Sequence, residues 1–273
     1  MKIGVFGNCQ AGIISQILME QLPNDEIIAF KAVHTMSKED RLLFLEEIKY
    51  LDVLLHQPVS EVYSPISTEK ILSIIDNKKS IIFPVIYFSP YFMDITYLKN
   101  SYGATDRTFV SDYHSRIIMS AFYHGLESDS IIQAFNSDSF FSKKSVLNNF
   151  DISLHTLKEK EKVCDITISH LIEKNYDKKN LFFTFNHPTG YLVYYVVNKF
   201  LSLINKTELN NKMTVKSIET SLGLKFNSTK DFYMDKKVYS LDEFIKISYE
   251  FYKDNYDLVK LNENRILPKK LFY

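Results

Sequence analysis

The opening run Lys2-Ile-Gly-Val-Phe-Gly-Asn-Cys-Gln-Ala-Gly12 constrains the fold more than any other stretch. Ile3 to Phe6 is a short apolar run of the kind that forms a buried strand, and Gly7-Asn8 breaks it. From Gln10 to Gln21 the residues Ile13, Ile14, Ile17 and Leu18 recur at helical spacing. Strand, tight turn and helix in that order put Cys9 at the carboxyl end of a strand and in the first turn of a helix. Unpaired backbone N–H groups and the positive end of the helix dipole favour an anion there. A thiol is therefore expected to ionise below its ordinary pKa and to become a better nucleophile. The alternative is a small buried Cys packed in the turn as an inert hydrophobe. Asn8 and Gln10, polar amides on either side, suit a site better than a core.

The same alternation continues over the first ~90 residues. Ile27 to Val33 reads as a second strand, Ser37 to Tyr50 as a helix capped by Ser37, and Leu51 to His56 as a third strand. Ser67 to Asp76 reads as a helix and Ser80 to Tyr87 as a fourth strand interrupted by Pro84. This is the pattern of βαβ units and a parallel sheet flanked by helices, an α/β fold. Helical patterns follow at Ser111 to Leu126, at Ser128 to Phe135 and over a long stretch from Lys143 to Asn175, a helical insertion. Leu181 to Phe185 returns as a late core strand before a helix from Thr189 to Leu203. The chain is thus expected to form one α/β domain over residues 1–204. Residues 205–273 follow as a small helical appendage packed on the same domain, with Leu241 to Asp257 its clearest helix.

Composition narrows the classes. Lys+Arg and Asp+Glu are both 33, so the formal net charge is zero, which argues against nucleic-acid binding driven by bulk charge. Two cysteines make no disulfide framework in 273 residues, and no apolar run approaches the ~20 residues that span a bilayer. The chain opens directly on a strand, without a secretory signal pattern, so a soluble protein of the reducing cytoplasm is expected. The seven His never recur at i, i+4, so no metal is expected, and no phosphate-binding Gly motif supports nucleotide chemistry.

Sites in open α/β sheets gather at the carboxyl ends of the strands. Those ends carry Gly7-Asn8-Cys9-Gln10, His56-Gln57-Pro58, Tyr87-Phe88-Ser89-Pro90-Tyr91 and Asn186-His187-Pro188-Thr189. Turns favour Gly, Asp, Ser and Pro but have no general need for Cys, Gln or His.

These segments, together with Phe83-Pro84 leading into Tyr87 to Asp94 and Leu157-Lys-Glu-Lys-Glu161 with Asp165, resemble the WcbI-type capsular polysaccharide biosynthesis family over residues 2–204. The family shows Arg-Glu where this chain has Lys160-Glu161. The resemblance implies an SGNH-hydrolase-like fold, coenzyme A as cosubstrate, and O-acetylation of a capsule or surface sugar. Cys9 then stands where such enzymes carry their nucleophile and His187 where they carry the catalytic His. The acid three residues before that His is replaced by Thr184, so a Cys–His dyad is the economical reading.

Around that pair, Asn8, Gln10 and Gln57 are candidates to hold an acyl carbonyl or the substrate. Gly7, Asn8, Tyr113, His114, Arg116 and Asn186 are candidates for coenzyme A, with His114 and Arg116 placed to meet its phosphates. The expected function is transfer of an acetyl group from acetyl-coenzyme A to a sugar or polysaccharide precursor, in association with an assembly complex. An esterase or thioesterase on the same scaffold and a non-catalytic coenzyme A- or glycan-binding partner are the alternatives.

Overall fold

The computed structural model describes residues 1–75, 79–101, 113–127, 130–132, 142–209, 232–234 and 237–273. Four strands, β1 (Lys2–Phe6), β2 (Glu26–Ala29), β3 (Val53–His56) and β4 (Ser80–Ile82), form a parallel sheet in the order β2-β1-β3-β4. β1 lies inside it, with Ile3 opposite Ile27 on one side and Val53 on the other. All of β3 is buried, as is β1 beyond Lys2, the unbroken apolar reading of strands covered on both faces.

Helices α1 (Cys9–Gln21), α2 (Lys38–Glu47) and α3 (Thr68–Ile74) supply the crossovers that parallel strands require. Each starts at a side-chain cap. Asn8 accepts the N–H of Gln10, Ser37 and Asp40 form a reciprocal capping box, and Ser67 accepts the N–H of Lys70. One face of the sheet is filled by Phe6, whose ring lies 4.2 Å from that of Phe44 (centroid to centroid), together with Leu51, Leu54, Ile66 and Ile71.

The late strand β7 (Phe182–Thr184) does not join this sheet, contrary to the expectation from its apolar run. It pairs antiparallel with β8 (His187–Pro188), Thr184 opposite His187. The reason lies at β4. Its ladder stops before Pro84, which has no N–H to donate, and the carbonyl of Ile82 accepts the N–H groups of Asp165 and Ile166. Beyond Pro84 the chain meets the hairpin instead, through the N–H of Phe88 and the carbonyl of Phe185 (2.7 Å).

The helical stretch from Lys143 to Asn175 consists of two helices, α5 (Lys143–Glu161) and α6 (Ser169–Asn175). The Glu161 carboxylate accepts the N–H groups of Ile168 and Ser169, so the residue ending one helix caps the next.

Two compact units are present, each built from two stretches of chain: Met1–Phe88 with Ile152–Leu222, and Ser89–Asp151 with Gly223–Tyr273. The first holds the sheet, the hairpin and α7 (Gly190–Leu203). In the second, α4 (Arg116–Tyr123) packs against α8 (Leu241–Asp254), with Phe122 against Tyr249 and Tyr252 and with Ile117, Phe244 and Val259 buried. Residues read above as an insertion and as an appendage therefore share one core. α4 also begins later than its periodicity suggests, because β6 (His114–Ser115) pairs antiparallel with β5 (Ile95–Thr96); residues 111–112, 128–129 and 133–135 lie outside the described residues.

Candidate functional site

At the end of β1 the chain turns through Gly7 and Asn8 into α1. The carbonyl of Gly7 accepts the N–H of Val33 (2.9 Å), and the N–H of Asn8 donates to Oε1 of Gln57 (2.8 Å). Cys9 follows as the first residue of the helix and is exposed. The protein mass around the sulfur pushes the Cys9 thiol up from its ordinary pKa, while the N–H groups of Cys9 and Gln10 act in the opposite direction. This corrects the expectation of a lowered pKa: at this helix start desolvation outweighs the backbone donors.

Behind Cys9 lies a pair of buried amides, Gln10 and Gln57, each 1% exposed. Gln10 Nε2 donates to the carbonyls of Ile86 (2.7 Å) and Asn186 (2.8 Å), and its Oε1 accepts from Gln57 Nε2 (2.8 Å) and the N–H of Ile86 (3.1 Å). Gln57 Nε2 also donates to the carbonyl of Pro84 (3.2 Å). Both hydrogens of each amide are thereby engaged by protein. In this arrangement Gln10 and Gln57 join the ends of β1 and β3 to the segment after β4 and to the hairpin. Asn8 differs, since its Oδ1 caps α1 while its Nδ2 makes no hydrogen bond among the described residues.

His187 is half-buried on the hairpin. Its Nδ1 lies 2.7 Å from the hydroxyl of Thr184, and that hydroxyl donates to Oδ1 of Asn186 (2.8 Å). The bond from Gln10 to the carbonyl of Asn186 thus joins the residue after Cys9 to the residue before His187. No sequence signal marks Thr184 as functional, since the position three before a catalytic His ordinarily carries an acid.

His56, at the end of β3, carries no sequence signal of its own beyond its strand-end position. It is fully buried, its Nδ1 facing the carbonyl of Gln57 (3.0 Å) and its Nε2 the hydroxyl of Ser80 (2.9 Å). Burial pushes its pKa down to about 4, so the ring is neutral at pH 7.

Tyr113, His114 and Arg116 belong to the second unit and have partners within it. His114 is 1% exposed, with Nδ1 3.2 Å from the hydroxyl of Tyr252. The Tyr113 ring stacks on Tyr97 at 5.6 Å, and Arg116 Nε donates to the carbonyl of Arg265 (3.2 Å). His114 is therefore placed inside the core of its own unit, beside Tyr252. Among the described residues no group of three or more His, Cys, Asp or Glu could hold a metal ion, and no helix is long and apolar enough to cross a membrane.

No curated protein matches this chain. A solved structure of WcbI, studied as a novel polysaccharide biosynthesis enzyme and in the form without a disulfide between coenzyme A and one of its cysteines, superimposes with a TM-score of 0.80. The match covers 99% of this chain and 96% of that one at 16% identity, a likeness of fold. The family profile of the polysaccharide biosynthesis enzyme WcbI matches residues 2–209, which span the sheet, the Cys9 turn and the His187 hairpin, and the chain belongs to that family.

Proposed function

We propose that this protein transfers an acyl group from a coenzyme A thioester to a sugar hydroxyl during polysaccharide assembly, with Cys9 and His187 as the reacting pair. The observation that carries this reading is the bond from Gln10 to the carbonyl of Asn186, which fixes the helix start bearing the thiol to the hairpin bearing the imidazole. Family membership and the coenzyme A named with the WcbI structure support the choice of donor.

A thiol with a raised pKa is protonated at neutral pH, so it needs a base at the moment of attack. In the covalent route His187 takes the Cys9 proton as sulfur attacks the thioester carbonyl. The bond to coenzyme A sulfur breaks, and that sulfur leaves with the proton. The sugar hydroxyl then attacks the acyl-Cys9, giving its proton to His187, and Cys9 departs as the thiol. In the direct route His187 takes the proton from the sugar hydroxyl as its oxygen attacks the thioester carbonyl, and returns that proton to the coenzyme A sulfur as the carbon–sulfur bond breaks, with no acyl-enzyme formed. The N–H of Cys9 and Asn8 Nδ2 are the donors for the carbonyl oxygen in either route.

Coenzyme A at a hundred times its Kd should stabilise the protein by about 2.7 kcal/mol, read as a rise in Tm. Incubation with acetyl-coenzyme A, followed by mass mapping, distinguishes the routes by the presence or absence of one acetyl unit on Cys9. No Tm shift at millimolar coenzyme A overturns the donor assignment. Release of free acetate regardless of the sugar supplied points to a hydrolase, and binding without turnover points to a non-catalytic partner.

A further inference from the structure

A hydroxyl carries one hydrogen. The Thr184 hydroxyl uses it toward Oδ1 of Asn186 at 2.8 Å, so toward Nδ1 of His187, 2.7 Å away, it presents a lone pair. The ring nitrogen facing it must then carry the proton. The neutral imidazole is thereby held as the Nδ1–H tautomer, with its basic lone pair on Nε2.

Three features make this a built arrangement. Thr184 is 8% exposed, and its backbone is fixed opposite His187 in the β7–β8 register. Asn186, which sets the direction of the hydroxyl, is itself anchored through its carbonyl to Gln10. As a β-branched residue, Thr184 is also restricted at χ1, so its oxygen keeps one direction.

We propose that Thr184 is the positioning residue of this site: with Asn186 it orients His187 and selects the Nδ1–H tautomer, leaving Nε2 to exchange protons with the thiol or the acceptor hydroxyl. The role of Nε2 rests on the acyl-transfer reading, whereas the tautomer does not. The arrangement has a further consequence for the substrate class. A hydroxyl orients an imidazole without neutralising an imidazolium, unlike a carboxylate, so the site holds less charge stabilisation for a difficult leaving group. A thioester, whose thiolate departs with little protonation, suits it better than an oxygen ester or an amide.

The test is the ¹⁵N spectrum of the full-length protein labelled in histidine, with the His187 signals assigned by their loss in His187→Gln. A pyrrole-type Nδ1 and a pyridine-type Nε2 are expected at pH 8. Thr184→Ser should retain that pattern and the transfer rate, whereas Thr184→Val should mix the tautomers and lower acetyl transfer by about 10- to 100-fold. Thr184→Asp should move the acid limb of the rate–pH profile to higher pH, because a carboxylate beside the ring favours its cation. An Nε2–H tautomer in the unmodified protein overturns the proposal, and this spectrum is decisive even where Thr184→Val does not fold. Equal rates for Thr184→Val and the parent also overturn it. The expected tautomer without transfer from any thioester leaves Thr184 in its role and removes the acyltransferase reading instead.

Discussion

A β-carbon placed on Gly7 would lie 2.5 Å from Oε1 of Gln57, the atom that receives the N–H of Asn8. The absence of a side chain at Gly7 is what lets Gln57 fold over the turn and hold Asn8 and Cys9 in place. Gly7→Ala must therefore displace an amide that is pinned at its far end to Gln10 and Pro84. The expected loss is about 1–6 kcal/mol, from one or two unmet buried polar groups at about 1–3 kcal/mol each. In a double-mutant cycle with Gln57→Ala the losses should fall short of additive, since the second change removes what the first collides with. Additive losses in urea titrations would show that the two positions act separately.

His56 gives the first unit an acid sensitivity. Its pKa is pushed from 6.5 to about 4, so between those values the unfolded chain binds a proton that the folded chain refuses. The associated stability is complete above pH 6.5 and is lost as the pH falls toward 4. His56→Asn should flatten the dependence of Tm on pH in that interval. An unaltered slope would place the acid sensitivity elsewhere.

Asp94 works with the opposite sign in the second unit. Its carboxylate accepts the N–H of Ile117 (2.8 Å) at the start of α4, yet desolvation pushes its pKa from 3.8 to about 6. The folded state holds this proton more tightly, so its contribution is complete below pH 3.8 and is lost as the pH rises through 6. Asp94→Asn, which keeps the acceptor oxygen and drops the charge, should raise Tm at pH 8 and leave it unchanged at pH 3.5. A lowered Tm at pH 8 would show that the charge is needed.

The two thiols should separate on alkylation. Cys164 is half-buried, and burial with the charges of Glu161 and Asp165 pushes its pKa up to about 12. Cys9 is exposed and less perturbed in its surroundings of backbone donors. Iodoacetamide at pH 8 should label Cys9 first, at a rate that continues to climb with pH above the ordinary thiol range. A rate already level at pH 7 would mean a preformed thiolate. Under the proposed chemistry His187→Ala slows the labelling.

What the sequence revealed was local. Ser37 and Ser67 announce helix starts because a cap acts within three residues, and Ile3 to Phe6 announces a strand because its run is unbroken. The end of β1 was legible for the same reason. The amide pair was not: Gln10 reaches Gln57, Ile86 and Asn186 across 47, 76 and 176 positions, and no periodicity encodes such a bond. Phe182 to Thr184 reads alike in a sheet or a hairpin, since an apolar run states burial and not a pairing partner. His114 looked like a surface cation at a helix start, and only Tyr252, far along the chain, shows it to be interior.

The buried amides also distribute evolutionary freedom unevenly. Gln10 and Gln57 grip Ile86, Asn186 and Pro84 through main-chain carbonyls, which every residue possesses. The gripped segments can change their side chains and remain attached so long as the backbone keeps its path. The two glutamines have no such latitude, because Asn is a methylene too short and Glu lacks the N–H groups. Drift is therefore expected to accumulate at position 86 while positions 10 and 57 stand still, and the Cys9 turn and the His187 hairpin stay joined as the chain around them diverges.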